Sequence, residues 1–256
     1  MQKLDTITSL QNNQIKLLKK LALKKYRLEY QQFTVENLTI IIDALNAGYD
    51  FETLFVTAEF MTRHIDKFQF LQENSKAGYY VIDEMMSSHF SQLDTPSGIT
   101  AIYKFPKNKI EDNCSIIYLN SISDPGNLGT IMRTALAFDF NNLVLDENCV
   151  DIYNSKTIAA AKNSIFKLNF LEDKDGSWIR NNKLPVYVTS SQGDSDLESF
   201  KADDKFCLVL GNESHGISDA INQLAAKQLK IDISDNIESL NVSVAAAILF
   251  YKLRNK

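Results

Sequence analysis

The second half of the chain alternates short apolar runs with helix-patterned stretches, and few architectures accept that order. Ser115–Leu119, Leu143–Leu145, Val186–Thr189, Phe206–Leu210 and Leu229–Ile233 are continuous apolar runs, the pattern of strands buried on both faces. Among and after them come Thr130–Asp139, Ser155–Lys162, Ser218–Ala226 and Asn241–Leu253, whose patterning predicts helices. Strands separated by helices require crossover connections, so the expected fold class is α/β with a largely parallel sheet.

The first hundred residues are more mixed. Gln11–Tyr30 and Glu36–Ala47 read as helical, the second closed by Gly48, and short β-branched or aromatic runs lie at Thr53–Thr57, Tyr79–Ile82 and Ile99–Tyr103. Lys104–Asn113 is polar, contains Pro106 and lacks apolar periodicity. The domain boundary is expected there, giving domains 1–106 and 107–256.

With 256 residues, 45% of them hydrophobic and 23% charged, the chain can build two cores and reads as soluble. Its longest apolar run, Val244–Tyr251, is far short of the roughly 18 residues a membrane span needs. Cys114, Cys149 and Cys207 are widely separated, which argues against a disulfide framework or a structural zinc site and suits a reducing cytosol. The net charge of −5 does not by itself suggest a nucleic-acid partner, and the charge is unevenly distributed. Residues 1–30 carry seven Lys/Arg and two acids, leaving the remainder at −10. Lys16, Lys20, Lys24 and Arg27 recur at helical spacing on one face, a stripe suited either to a phosphate backbone or simply to solvent.

The usual α/β motifs fail. Gly211-Asn-Glu-Ser-His-Gly216 has the glycine spacing of a P-loop, but Ile217-Ser218 stands where Lys-Ser/Thr is required. Gly126 and Gly129 do not make a dinucleotide fingerprint, and the three histidines support neither metal hydrolysis nor a triad. Three loops remain, each after an expected strand. In the first, Asp124-Pro-Gly-Asn-Leu-Gly-Thr130, Pro125-Gly126 makes a turn and Thr130 caps a nearly all-apolar helix with Arg133 in its first turn. A guanidinium there would meet either a phosphate or an internal carboxylate. In the second, Gly211 and Gly216 let backbone approach a ligand, with Glu213 at the tip; a plain surface turn is the alternative. In the third, Ile231–Ser243, Ser239 or Asn241 caps a last helix apolar on every side, which must be enclosed by its own sheet or by a partner subunit.

In this order and spacing, the loops resemble the SpoU (TrmH-like) branch of the SPOUT RNA 2′-O-ribose methyltransferases. Asn127 and Arg133 match the family's D-P-x-N-x-G-x-x-x-R motif, Gly211, Glu213 and Gly216 its G-x-E-x-x-G motif, and Ile231, Ile233 and Ser239–Ser243 its strand followed by S-L-N-V-S. The amino-terminal ITSLQNNQIKLLKKL, Phe33–Glu36 and Thr95–Ile102 are similar to the family's small L30e-like substrate-binding domain. Three departures stand out: Asn37 where Gly is usual, Asp232 where Pro is common, and Ala159–Asn163 where Arg-Ala-Ser-x-Gly is frequent.

The resemblance implies a trefoil-knotted catalytic domain, a homodimer, no metal, and S-adenosylmethionine bound near Leu210, Gly211, Gly216, Ile231, Ile233, Leu240 and Asn241. It implies structured RNA as substrate, 23S ribosomal RNA ahead of transfer RNA, with a non-catalytic RNA-binding or ribosome-assembly protein as the other reading. Catalysis would involve Arg133, Asn127, Glu213, Ser239 and Asn241, with Arg133 on the RNA and Glu213 orienting Asn127 or Arg133. Lys16, Lys20, Lys24 and Arg27 would supply RNA affinity. A sulfonium methyl is already activated, whereas a ribose hydroxyl is a weak nucleophile, so alignment and proton removal are what the protein must provide. Arg133 itself is ill-suited as a base, because guanidinium stays protonated in proteins.

Overall fold

A computed structural model describes residues 3–107, 109–111, 113–190, 193, 195–212 and 215–254. The chain forms two compact units, Met1–Pro106 with Tyr153–Ala159, and Lys107–Ile152 with Ala160–Lys256. Among the described residues no helix is long and apolar enough to cross a membrane.

The first unit contains β1 (Leu4–Thr6), α1 (Asn13–Leu21), α2 (Lys24–Tyr30), β2 (Gln32–Val35), α3 (Leu38–Asn46) and β3 (Thr53–Thr57). It continues through α4 (Ala58–Arg63), α5 (Ile65–Asn74), β4 (Gly78–Ile82), α6 (Glu84–Phe90) and β5 (Ile99–Lys104). Its mixed sheet runs β1-β4-β3-β5-β2, parallel as far as β3 and antiparallel from there to β2. Ile15, Leu18 and Leu21 of α1 and Met86 and Phe90 of α6 bury against Phe55, Ile82 and Ile102 of the sheet. Tyr153 belongs to this unit because its ring stacks 3.9 Å from Phe105 and 4.7 Å from Phe33. At α3, Asn37 caps the helix by accepting from the Ile40 amide at 3.1 Å, which gives the departure from glycine a structural use.

The second unit starts with β6 (Ile116–Leu119), α7 (Pro125–Ala137), β7 (Asn142–Asp146), α8 (Ser155–Ala161, which straddles the units), α9 (Ser164–Lys167) and β8 (Asn169–Asp173). Then come α10 (Ser177–Asn181), β9 (Val186–Thr189), β10 (Ser195–Asp196), β11 (Cys207–Leu210), α11 (Asp219–Asn222), β12 (Lys227–Lys230) and α12 (Val242–Leu253). The sheet order is β10-β12-β9-β11-β6-β7-β8, and every pairing is parallel. The α/β expectation holds, and the reason is visible in β6 and β11, whose four residues each are wholly buried. From β6 the chain steps outward through β7 and β8, then crosses to β9 on the other flank; β11 fills the gap between. That reversal puts the carboxyl ends of β6, β11, β9 and β12 side by side, where open α/β sheets form their binding crevice.

Candidate active site

The first loop is already helix. Asp124 is the N-cap of α7, its Oδ1 accepting from the Asn127 amide at 2.7 Å, and Pro125 occupies the first turn. Thr130 is therefore interior rather than a cap, and Arg133 is in the third turn rather than the first. It sits about 12 Å along the axis from the helix start, too far for the terminal amides to share its ligand. Nor is α7 apolar all round: it buries Leu128, Ile131, Met132 and Ala135, while Arg133 is exposed. Among the described residues Arg133 has no hydrogen bond or ion pair, so the internal-carboxylate reading finds no partner there.

The second loop is pinned from both flanks by the turn after β6. Asn120 Oδ1 accepts from the Ser218 amide at 2.9 Å, and Asn212 Nδ2 donates to the Ser121 carbonyl at 2.9 Å. Ser121 itself has a left-handed backbone, φ 62°, a conformation costing a non-glycine residue about 1–2 kcal/mol. Asp146, at the end of β7, holds it there. Its carboxylate accepts from the Ser121 amide (3.0 Å) and hydroxyl (3.1 Å), from Asn120 Nδ2 (2.6 Å) and from the Asn148 amide (3.1 Å). Neither Asn120, Asp146 nor Asn212 was singled out from sequence, because no spacing rule joins residues 26 or 91 positions apart. Asp124 could have been found, since an acid directly before Pro is a helix-start signal.

Gly211 serves the loop more than a ligand. A Cβ there would lie 2.5 Å from Ile217 Cγ1 and 2.6 Å from the Gly216 carbonyl carbon, so the glycine lets Asn212 and Gly216 pair across it. Gly216 takes φ 66°, with open space where a side chain would stand. Glu213 lies outside the described residues.

The third loop ends at Asn241, which caps α12. Its Oδ1 accepts from the Ser243 amide at 2.9 Å and the Ser243 hydroxyl at 2.6 Å, while its Nδ2 donates to Asn127 Oδ1 at 2.9 Å. Two residues 114 positions apart thus meet, one from the first loop and one from the third. Beside them a cleft of about 710 Å³ opens at the strand ends, lined by Gly211, Gly216, Ile231, Ile233, Ser239 and Leu240 among others. Leu210 is buried beneath it, and Asn241 lies between the lining residues Leu240 and Val242. The volume falls within the usual range for small-molecule sites. Ile217, Leu229, Val242 and Ala245 add apolar wall, and Asp219, Asp235 and Glu238 bring carboxylates suited to a cationic ligand. S-adenosylmethionine, an adenosine joined to a sulfonium amino acid, fits that mix.

A cleft of similar size by β8 and α10 contains none of these loops. Its buried acid, Asp173, is fully engaged with the Tyr118 hydroxyl and the Trp178 and Ile179 amides.

The basic stripe is interrupted. The expected single helix breaks at Ala22–Leu23 into α1 and α2, and Arg27 turns inward, 6% exposed. Its Nη1 donates to the Leu21 and Ala22 carbonyls, both at 2.8 Å, satisfying the end of α1. Arg27 is thus a corner piece and leaves the proposed RNA-binding set. Lys16, Lys20 and Lys24 are exposed.

Comparison with known proteins supplies the family. Residues 115–251 match the SpoU rRNA Methylase family, and residues 12–101 match the MRM3-like substrate binding domain. The chain is 30% identical, over 97% of its length and 98% of the relative's, to the 23S rRNA (guanosine(2553)-2′-O)-methyltransferase RlmP of Bacillus subtilis. A solved RNA 2′-O ribose methyltransferase superposes with a TM-score of 0.78 at 25% identity, covering 98% of this chain and 97% of that one. The AdoMet-bound rRNA methyltransferase of Sinorhizobium meliloti shares the fold, with a TM-score of 0.82 at 24% identity and 97% of each chain covered. With its second and third loops lining one crevice, its first loop bonded to the third through Asn127, and residues 115–251 matched, the chain belongs to the SpoU rRNA methylase family and is an S-adenosylmethionine-dependent RNA 2′-O-ribose methyltransferase.

Proposed function

We propose that the protein methylates a ribose 2′-hydroxyl of 23S ribosomal RNA, the substrate class named for its Bacillus subtilis relative. The observation that carries this reading is the 2.9 Å bond between Asn127 and Asn241 beside the cleft. It locks together the helix bearing Arg133 and the loop that walls the cofactor site. S-adenosylmethionine, when bound, supplies a methyl group already activated by its sulfonium. The residues of the chain then have two tasks. Ile231, Ile233 and Leu240 with the backbone at Gly211 and Gly216 hold the donor, and Arg133 holds RNA. Arg133 is free to meet a phosphate and stays protonated, so it orients the ribose and offsets charge rather than taking the proton. Asn127 and Asn241, each restrained by the other, keep the amide groups of the site fixed, with Ser239 and Glu213 completing the polar set.

The reading extends to the whole chain. The first unit is taken as an L30e-like substrate-binding domain presenting Lys16, Lys20 and Lys24, and the second as a trefoil-knotted catalytic domain. The enzyme is a homodimer. Its α12 leaves Val244, Ile248 and Tyr251 exposed at 49%, 38% and 61%, an apolar stripe at helical spacing that a second copy would cover. All three cysteines are free, as suits a reducing compartment, and we place the protein in the cytoplasm.

The test is transfer of labelled methyl from S-adenosylmethionine to unmodified 23S transcript and, separately, to unmodified transfer RNA. Label in 23S alone supports the proposal; label in transfer RNA alone refutes the substrate assignment.

A further inference from the structure

We propose that Tyr26 and Tyr30, flanked by Lys20 and Lys25, form a platform on which an unpaired base of the substrate RNA stacks. The proposal rests on the reading of the protein as a ribosomal RNA methyltransferase, and it assigns a second kind of contact beside the lysine contacts to the RNA backbone. Tyr26 and Tyr30 lie one turn apart on α2, their rings inclined by 21° with centroids 6.3 Å apart. Tyr30 is 37% exposed, whereas Tyr79, Tyr103, Tyr118 and Tyr187 are all buried in the two cores. Tyr26, beside Tyr30, is half-buried, so the pair keeps part of its ring surface open to solvent.

The pair is also held in place. Lys20 reaches across from α1, with Nζ 3.0 Å from the Tyr30 hydroxyl and 5.4 and 5.5 Å from the two ring centroids; Lys25 Nζ lies 5.6 Å from the Tyr26 centroid. What brings α1 and α2 into this arrangement is the buried Arg27, bonded to the Leu21 and Ala22 carbonyls at the corner. The hydrogen bond to the Tyr30 hydroxyl holds the Lys20 ammonium above its ordinary range.

Charge selects the occupant. Lys16, Lys19, Lys20, Lys24 and Lys25 are exposed within ten residues, and among the described residues none of the five is in an ion pair. Glu29 is the one acid between residues 16 and 30. Near-parallel aromatic rings amid ammonium groups that have no carboxylate partner among the described residues match a nucleobase on a phosphate chain, since unstacked bases of single-stranded RNA are held by aromatic stacking and cations.

The experiment measures affinity of the full chain for unmodified 23S transcript across a salt series. Tyr26→Leu/Tyr30→Leu is expected to weaken binding by about tenfold at every salt concentration, leaving the salt slope unchanged. Tyr26→Trp/Tyr30→Trp restores affinity. Lys16→Gln/Lys24→Gln, in contrast, weakens binding with a shallower slope. Unchanged S-adenosylmethionine affinity and helical circular dichroism show that the leucine variant is folded. If that folded variant binds like wild type while the lysine variant does not, the platform is wrong and the RNA reading stands. If wild type does not bind the transcript at all, both fall.

Discussion

Arg133 projects from α7 without a hydrogen bond or ion pair among the described residues, so its removal should cost the fold almost nothing. Arg133→Ala is expected to keep unfolding free energy within about 0.5 kcal/mol of wild type. Turnover at saturating RNA should fall by roughly a hundredfold, because a misplaced ribose loses the alignment on which transfer depends. Denaturant titration and single-turnover methyl transfer check the two halves. Asp146 should behave in the opposite way. Asp146→Ala strands the Ser121 amide and Asn120 Nδ2 and is expected to cost about 2 kcal/mol. Because the same turn anchors Asn212 and Ser218, calorimetry should show S-adenosylmethionine binding about tenfold weaker, equivalent to 1.4 kcal/mol. Arg133 was legible in the sequence through its motif. Asp146 was not, since its role exists only once β6 and β7 lie side by side.

Elements were legible where one physical signal dominated. β3 and β9 run over the residues expected, each a short run rich in β-branched and aromatic residues and mostly buried. β8 was missed because Asn169-Phe-Leu-Glu-Asp173 is an edge strand with only Asp173 fully buried, and so carries no continuous apolar run. The expected long helix over Gln11–Tyr30 failed for another reason: its side-chain periodicity continues through Ala22–Leu23, but the backbone turns there and Arg27 meets the carbonyls so released. α12 kept its expected end at Leu253, with Asn241 as its cap. That cap has two duties, which a substitution should expose together. Asn241→Ala is expected to lower stability by about 1 kcal/mol and also to reduce turnover, because the bond joining Asn127 to the third loop is lost. Asn241→Asp keeps an acceptor for the Ser243 amide but no donor for Asn127, so stability should largely recover while turnover stays low.

For the whole molecule, the sequence disclosed a parallel α/β unit and an amino-terminal mixed one, yet not the strand order. The insertion of β11 between β6 and β9 depends on the pairing of Cys207 with Ile116, far apart in the chain and beyond any local pattern, and it is this insertion that sets the second loop beside the turn after β6. The exposed stripe on α12 belongs to the same scale. If the proposed dimer forms through this stripe, wild type sediments as a dimer at micromolar concentration and Ile248→Glu as a monomer, with little change in helical content. A dimer that persists would place the interface elsewhere. Nucleoside mass spectrometry of unmodified 23S transcript, after incubation with the protein and S-adenosylmethionine, tests the ribose assignment and the role of Arg133 together. One 2′-O-methylated nucleoside is expected, its initial rate of formation cut roughly a hundredfold when Arg133→Ala replaces wild type. A methylated base with an unmodified ribose would contradict the first, and an unchanged initial rate from Arg133→Ala the second.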